Sequence, residues 1–133
     1  MRVMIDTNVL LSALLFPGPT MNTMMKKVTS EHTLVLSSYV VDELLDVIKR
    51  KFPTKIETVD TLLSQLPYEL VYTPLQPKPG LFDIRDVKDY PILYTAIVDD
   101  VDVFITGDDD LLVVDVDKPE IITAAEFVAK YYF

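Results

Sequence analysis

The sequence predicts an α/β fold, with a parallel sheet between layers of helices, and three observations predict it. Short apolar runs without polar alternation, Val3-Met4-Ile5, Leu34-Val35-Leu36 and Val103-Phe104-Ile105, read as strands covered on both faces. Segments with helical periodicity separate them, which implies right-handed crossovers and parallel pairing. Two of the runs lead into a carboxylate, Asp6 and Asp108, at the strand end where an open α/β sheet forms its binding crevice.

Composition sets the bounds. A chain of 133 residues fits a single domain, 1–133, with a real core. Half of it is apolar, which excludes general disorder, and no apolar run approaches the ~20 residues that span a bilayer. The first strand begins almost at Met1 and leaves no room for a signal peptide. Cysteine is absent, so no disulfide or thiolate metal site can form, and the expected location is cytoplasmic. Net charge is −9, from 12 Lys/Arg against 21 Asp/Glu, the wrong sign for holding nucleic acid by bulk electrostatics. The acids crowd the C-terminal half, either as a solvated face or as a cluster that needs cations.

Along the chain, the first strand gives way to the apolar stretch Leu11 to Phe16, broken by Pro17-Gly18-Pro19. A helix should come next, with Met21, Met24, Met25 and Val28 on its core face. His32 sits in a polar turn and has no second His or Cys to share a ligand role. Leu34 to Leu36 forms the second strand, and Ser37 or Ser38 caps a helix from Tyr39 to about Lys51. Its basic end, Lys49-Arg50-Lys51, suits the helix dipole. Glu43 lies at the border of that helix's buried arc, which suits either a rim carboxylate or an ordinary boundary residue.

Thr54-Lys55-Ile56-Glu57 has the pattern of a capping box opening a short helix to about Leu66. Leu70-Val71-Tyr72 is a weaker third strand, with a stiff surface loop after it that holds Pro74, Pro77, Pro79 and Gly80. Pro91 belongs in a first helical turn, which puts Asp89 at or just before a helix N-terminus, with Asp86 shaping the loop. The fourth strand, Val103 to Thr106, turns at Gly107 into Asp108-Asp109-Asp110, of which Asp108 and Asp110 can face one way and Asp109 the other. Ile121-Ile122 is a fifth strand, and Thr123-Ala124-Ala125-Glu126 a second capping box before the last helix. Phe127, Tyr131, Tyr132 and Phe133 make that end apolar enough to dock on the body or on a second copy.

If the first three strands step outward to one side, the fourth returns beside the first, and Asp6 and Asp108 become the two lips of a switch point. Asp89 and Glu43 then enter from the helices beside them. Taken alone, Asp6 could equally be only the N-cap of the segment after it. Gathered together, like charges at ~4 Å cost about 1 kcal/mol in water and several times more near an interior. Protonation or a hard divalent cation must relieve that. All-oxygen ligation suits Mg²⁺ or Mn²⁺, with Thr7, Asn8 and Thr106 placed to orient carboxylates or waters.

These motifs, Ile5-Asp6-Thr7-Asn8-Val9-Leu10, Glu43-Leu44, Asp86-Val87-Lys88-Asp89, Thr106-Gly107-Asp108-Asp109-Asp110-Leu111-Leu112 and Ile122-Thr123-Ala124-Ala125-Glu126-Phe127, resemble those of the PIN-domain ribonucleases. Within that family the chain resembles a prokaryotic group of toxin components of toxin–antitoxin pairs. By position, Asp6, Glu43, Asp89 and Asp108 look like the family's acidic quartet, Asp110 like its frequent fifth member, and Thr106 and Asn8 like supporting polar positions. The resemblance implies a three-layer α/β/α sandwich with strand order 3-2-1-4-5, commonly dimeric. It also implies Mg²⁺- or Mn²⁺-dependent cleavage of single-stranded RNA by an activated water, with a cognate antitoxin as partner. The acidic surface departs from what RNA binding suggests; Lys26, Lys27, Arg85 and Lys88 are the basic residues offered for phosphate contact.

Two other readings compete. A catalytically silent member would keep the fold as a scaffold or binding protein. A phosphoacceptor receiver domain would need an acidic pair after the first strand and an Asp after the third; here the first strand ends Asp6-Thr7-Asn8, and no Asp comes after Leu70-Val71-Tyr72 until Asp83.

Overall fold

The computed structural model describes residues 1–131. Five strands form one parallel sheet: β1 (Arg2–Ile5), β2 (Thr33–Ser37), β3 (Glu69–Val71), β4 (Val103–Ile105) and β5 (Glu120–Ile122). Their order is β3-β2-β1-β4-β5. Val3 pairs with Leu34 on one side of β1 and with Val103 on the other, so β1 lies at the centre. Successive strand residues point to opposite faces, and Val3, Met4 and Ile5 are all fully buried. Both faces of the sheet are therefore covered, as the unbroken apolar runs predict. The chain steps outward from β1 to β3 and then returns to place β4 on the other side of β1, which makes the β1–β4 gap the switch point.

Among the described residues six helices connect the strands and a seventh follows β5. The first, α1 (Thr7–Leu15), starts directly after β1, with the Asp6 carboxylate accepting the Val9 amide at 2.9 Å as its cap. Beyond Asp6 as a possible cap, the sequence gives residues 7–15 little helical signal, because only Thr7, Asn8 and Ser12 are polar and no continuous polar face marks a surface helix. The helix α2 (Pro19–Glu31) buries Met24 and Val28, with Met21 and Met25 partly covered. His32 closes it, edge-on to Phe127 and Tyr131, so it packs against rings instead of sitting in a purely polar turn.

The helix α3 (Ser38–Lys51) is capped by Ser37, whose hydroxyl accepts the Val40 amide, and it buries Val40, Leu44 and Ile48. The expected capping box at Thr54 does not form. Pro53, Thr54 and Lys55 make a 3-10 turn, so Thr54 lies inside helical backbone and cannot cap α4 (Ile56–Gln65), which has no side-chain cap. The box at Thr123 does form, with Thr123 and Glu126 each accepting the other's amide at 3.1 Å, and opens α7 (Ala124–Lys130).

The helix α5 (Tyr90–Val98) has Pro91 in its first turn, as expected, and buries Ile92, Leu93 and Ala96. Its acidic exit is neutralised locally. Arg2 pairs with Asp99, while Lys118 lies 3.0 Å from Asp100 and 3.3 Å from Asp102. A short helix, α6 (Asp109–Leu112), comes after β4 and turns Leu111 into the core. Tyr131 packs on Phe127; the remaining apolar residues of that end, Tyr132 and Phe133, lie outside the described residues.

Candidate active site

The candidate residues gather where β1 and β4 end. Asp6 is only 5% exposed, and both of its oxygens are engaged. Oδ1 accepts the Val9 amide; Oδ2 accepts the Thr106 hydroxyl. One side chain thus serves as the helix cap and also stands at the rim of the site. Burial raises its proton affinity above the usual carboxylate range, opposed by the Thr106 and Val9 hydrogen bonds and reinforced by the charges of Asp108 and Glu43.

Thr106 ties the two strand ends together. While donating to Asp6 it accepts the Asp108 amide at 3.0 Å. Asp108 in turn caps α6, its Oδ1 accepting the Asp110 amide at 2.9 Å. That tight turn holds Asp108 and Asp110 half-buried and leaves Asp109 exposed, the division expected from sequence. Across from it, Asp86 caps a 3-10 turn at 87–89 by accepting the Lys88 amide at 3.0 Å. The Tyr39 hydroxyl of α3 donates to the Lys88 carbonyl at 3.2 Å, fixing the turn that delivers Asp89.

Asp89, Asp108 and Asp110 each offer a carboxylate oxygen, and these atoms lie within 4.8 Å of one another. Asp89 Oδ2 is buried and has no hydrogen-bond partner. Burial, the adjoining Asp108 carboxylate, and the charges of Asp86 and Asp110 push Asp89 up to about 7. An orphaned buried oxygen amid like charges is what a hard cation would satisfy, so the donor set fits Mg²⁺ or Mn²⁺.

Asp6 and Glu43 stand beside this triad instead of in it. Glu43, half-buried, accepts the Thr7 hydroxyl, and its charge reaches Asp6. Asn8 is exposed at the start of α1. One contact had no signal in the sequence: Arg85, from the loop before Asp86, pairs with Asp110, Nε lying 2.9 Å from Oδ1. Of the other basic residues offered for phosphate, Lys26 and Lys27 border a separate groove on α2 with Thr23 and Glu31.

The PIN domain family matches residues 2–110, which contain every one of these acidic side chains. The chain belongs to the PIN domain family. The fold of this PIN domain is also similar, at a TM-score of 0.64 and 20% identity, to a chain of VapBC2 from Rickettsia felis, a structure described as bound to a DNA fragment from their promoter. That likeness covers 81% of this chain and 88% of the other, and at such identity it is a likeness of fold. A comparison with curated proteins finds no match. The strand order separates this PIN domain from the receiver arrangement, 2-1-3-4-5. Lys118 reinforces the distinction, since it pairs with Asp100 and Asp102 before β4, at the opposite end of that strand from the acidic triad. No helix among the described residues is long and apolar enough to cross a membrane.

Proposed function

We propose that this PIN domain is a Mg²⁺- or Mn²⁺-dependent endoribonuclease cleaving single-stranded RNA, and that it is the toxin half of a toxin–antitoxin pair. The observation that carries the proposal is the convergence of Asp89, Asp108 and Asp110, from two separate segments, around a buried unsatisfied oxygen. These three side chains would hold the ion. A divalent cation there would supply positive charge to a phosphodiester and bring the pKa of a water down toward neutrality.

The chain's own residues do the rest. Thr106 holds Asp6 and the Asp108 backbone in one register, so the two strand ends cannot drift apart under repulsion. Glu43, half-buried, borders the triad and offers a carboxylate oxygen to which an attacking water can donate, while Asp6, both of its oxygens engaged, holds the strand end and adds its charge. The water oxygen then bonds to phosphorus in line as the bond to the 3′-oxygen breaks, its proton passing to Glu43 and the 3′-oxygen leaving as a hydroxyl with a proton from solvent. Family membership supports the nuclease reading, and the likeness to a VapBC2 chain supports an antitoxin partner. A homodimer completes the proposed assembly.

The silent-scaffold reading draws on the net charge of −9 and on Arg85, which already gives Asp110 a counter-ion. Incubating single-stranded RNA with Mn²⁺ and either the parent or Asp108→Asn separates the two. Asparagine caps a helix as well as aspartate does, so the variant keeps α6. Cleavage by the parent alone supports the nuclease; equal cleavage, or none by either, removes it.

A further inference from the structure

The loop between β3 and α5 forms a cleft of about 410 Å³ lined mostly by apolar side chains, among them Pro77, Phe82, Ile84, Val87 and Tyr90, with Asp83 as the charged residue in its lining. Its size falls in the ~300–1,000 Å³ range of small-ligand pockets. The walls are fixed in place. Phe82 stacks on Tyr90 with centroids 4.4 Å apart and planes 18° apart, and Tyr90 stacks in turn on Tyr94. The Tyr90 hydroxyl donates to the Lys78 carbonyl and accepts the Leu81 amide at 3.1 Å, pinning the far side of the loop. Despite this order the cleft stays open: Val87, in its lining, is 78% exposed.

Its position relative to the acidic triad gives the cleft meaning. Val87 and Tyr90 line it, and Asp89 lies between them in the same stretch of backbone. With ~3.8 Å between successive Cα atoms, cleft and triad are adjoining sites. Lys78, Arg85 and Lys88 also belong to this segment. Among the described residues, Lys78 and Lys88 are in no ion pair, a state they share with Lys26, Lys49, Lys51 and Lys55 but that sets them apart in this segment from Arg85, which pairs with Asp110. A chain carrying −9 cannot gather RNA through its overall field. Base stacking on aromatic rings needs no such field and tolerates any sequence.

We propose that this cleft is a nucleobase subsite: it holds one unpaired base of the RNA against the Phe82 wall, with Lys78 and Lys88 at its phosphates, and so presents a neighbouring phosphodiester to the acidic triad. The proposal rests on the ribonuclease reading. It makes the substrate's grip on the protein chiefly apolar, and it makes a flipped-out or single-stranded base a requirement. An apolar side chain of a protein partner would lack any reason to draw two free lysines and a catalytic rim to the same segment.

The test uses Asp108→Asn protein in Mg²⁺ buffer, so that binding is read apart from turnover. The probes are a hexaribonucleotide and six forms of it, each with one abasic position. One abasic form is expected to bind about tenfold more weakly than the parent RNA, and 2-aminopurine at that position is expected to lose fluorescence on binding. Phe82→Leu should weaken the parent RNA to the same degree while becoming indifferent to that abasic change, and Phe82→Trp should restore it. Equal binding of all six abasic forms overturns the subsite, and this holds even if Phe82→Leu fails to fold. Unchanged RNA binding by a folded Phe82→Leu that has lost a co-expressed partner protein assigns the cleft to that partner and also overturns it. If no RNA binds at all, the ribonuclease reading falls as well; if Mn²⁺-dependent cleavage persists with no abasic effect, only the subsite falls.

Discussion

Arg85 clasps Asp110 through two contacts, Nε to Oδ1 at 2.9 Å and Nη2 to Oδ2 at 3.2 Å. The guanidinium reaches in from solvent, its side chain 86% exposed, and engages both oxygens of a carboxylate that the metal reading also needs. Ion and arginine therefore compete for Asp110. In RNA-free protein, Arg85→Ala should tighten Mn²⁺ binding by about two- to fivefold in a calorimetric titration, a modest gain because exposed pairs are weak. The gain should shrink as salt is raised. Weaker Mn²⁺ binding in the variant would show that Arg85 supports the site instead of competing for it.

Asp89 predicts a pH dependence with a definite sign. Its folded value is pushed up to about 7 from 3.8, so between those limits the folded chain binds the extra proton. Stability of the metal-free protein therefore falls through this group as pH rises from about 4 to 7. Asp89→Asn carries no such charge. Its advantage should be absent near pH 4, grow across that window and level off above pH 7 at about 1 kcal/mol, or roughly 3 °C in Tm. The figure is kept small because solvent reaches part of the residue and screens it. Thermal melts of both proteins at pH 4, 6 and 8 check it; a constant offset would contradict it.

The same proton must leave when a cation binds. Divalent ions should raise the melting temperature more at pH 8 than at pH 5, with about 2.7 kcal/mol available at a hundredfold excess over Kd. Asp89→Asn should flatten the pH dependence of the ion's effect.

Thr106 serves Asp6 and Asp108 at once, so its removal should be felt in folding before chemistry. Thr106→Val leaves a buried carboxylate oxygen without its donor and the Asp108 amide without its acceptor. A loss of about 1–3 kcal/mol in urea unfolding is expected. The Asp6 titration should also move further up, since the Thr106 hydrogen bond opposes the effect of burial.

Asp6 itself separates cap from charge. Asp6→Ala should lose about 0.5–2 kcal/mol through the Val9 amide alone, while Asp6→Asn keeps a cap oxygen and loses less. Both should depress RNA cleavage.

The sheet and the convergence of Asp89, Asp108 and Asp110 were legible in the sequence for local reasons. Unbroken apolar runs located β1, β2 and β4; Pro91 placed the start of α5; Thr123 and Glu126 formed the box their spacing announces. The Asp108–Asp110 turn could be read because alternate residues of a tight turn face one way, and Asp109 is indeed the exposed one. Signals that depend on unseen neighbours failed. Thr54 has the right spacing for a cap yet lies within a 3-10 turn begun by Pro53. The helix α1 went unmarked because it is apolar on most sides, as a helix buried between others can be. Arg85 on Asp110 and the ring stack of Phe82 on Tyr90 each join a residue of an irregular segment to a helix, and Thr7 on Glu43 joins two helices 36 residues apart; no periodicity points from one partner to the other.

The nuclease proposal stands on one divalent cation shared by Asp89, Asp108 and Asp110. Anomalous diffraction from a crystal soaked in Mn²⁺ tests that sharing directly. A single strong peak bound by oxygens of all three carboxylates is expected, with Arg85 displaced from Asp110. A soaked crystal with no peak there, or with Mn²⁺ only at surface acids such as Asp109 or Asp115, would contradict it.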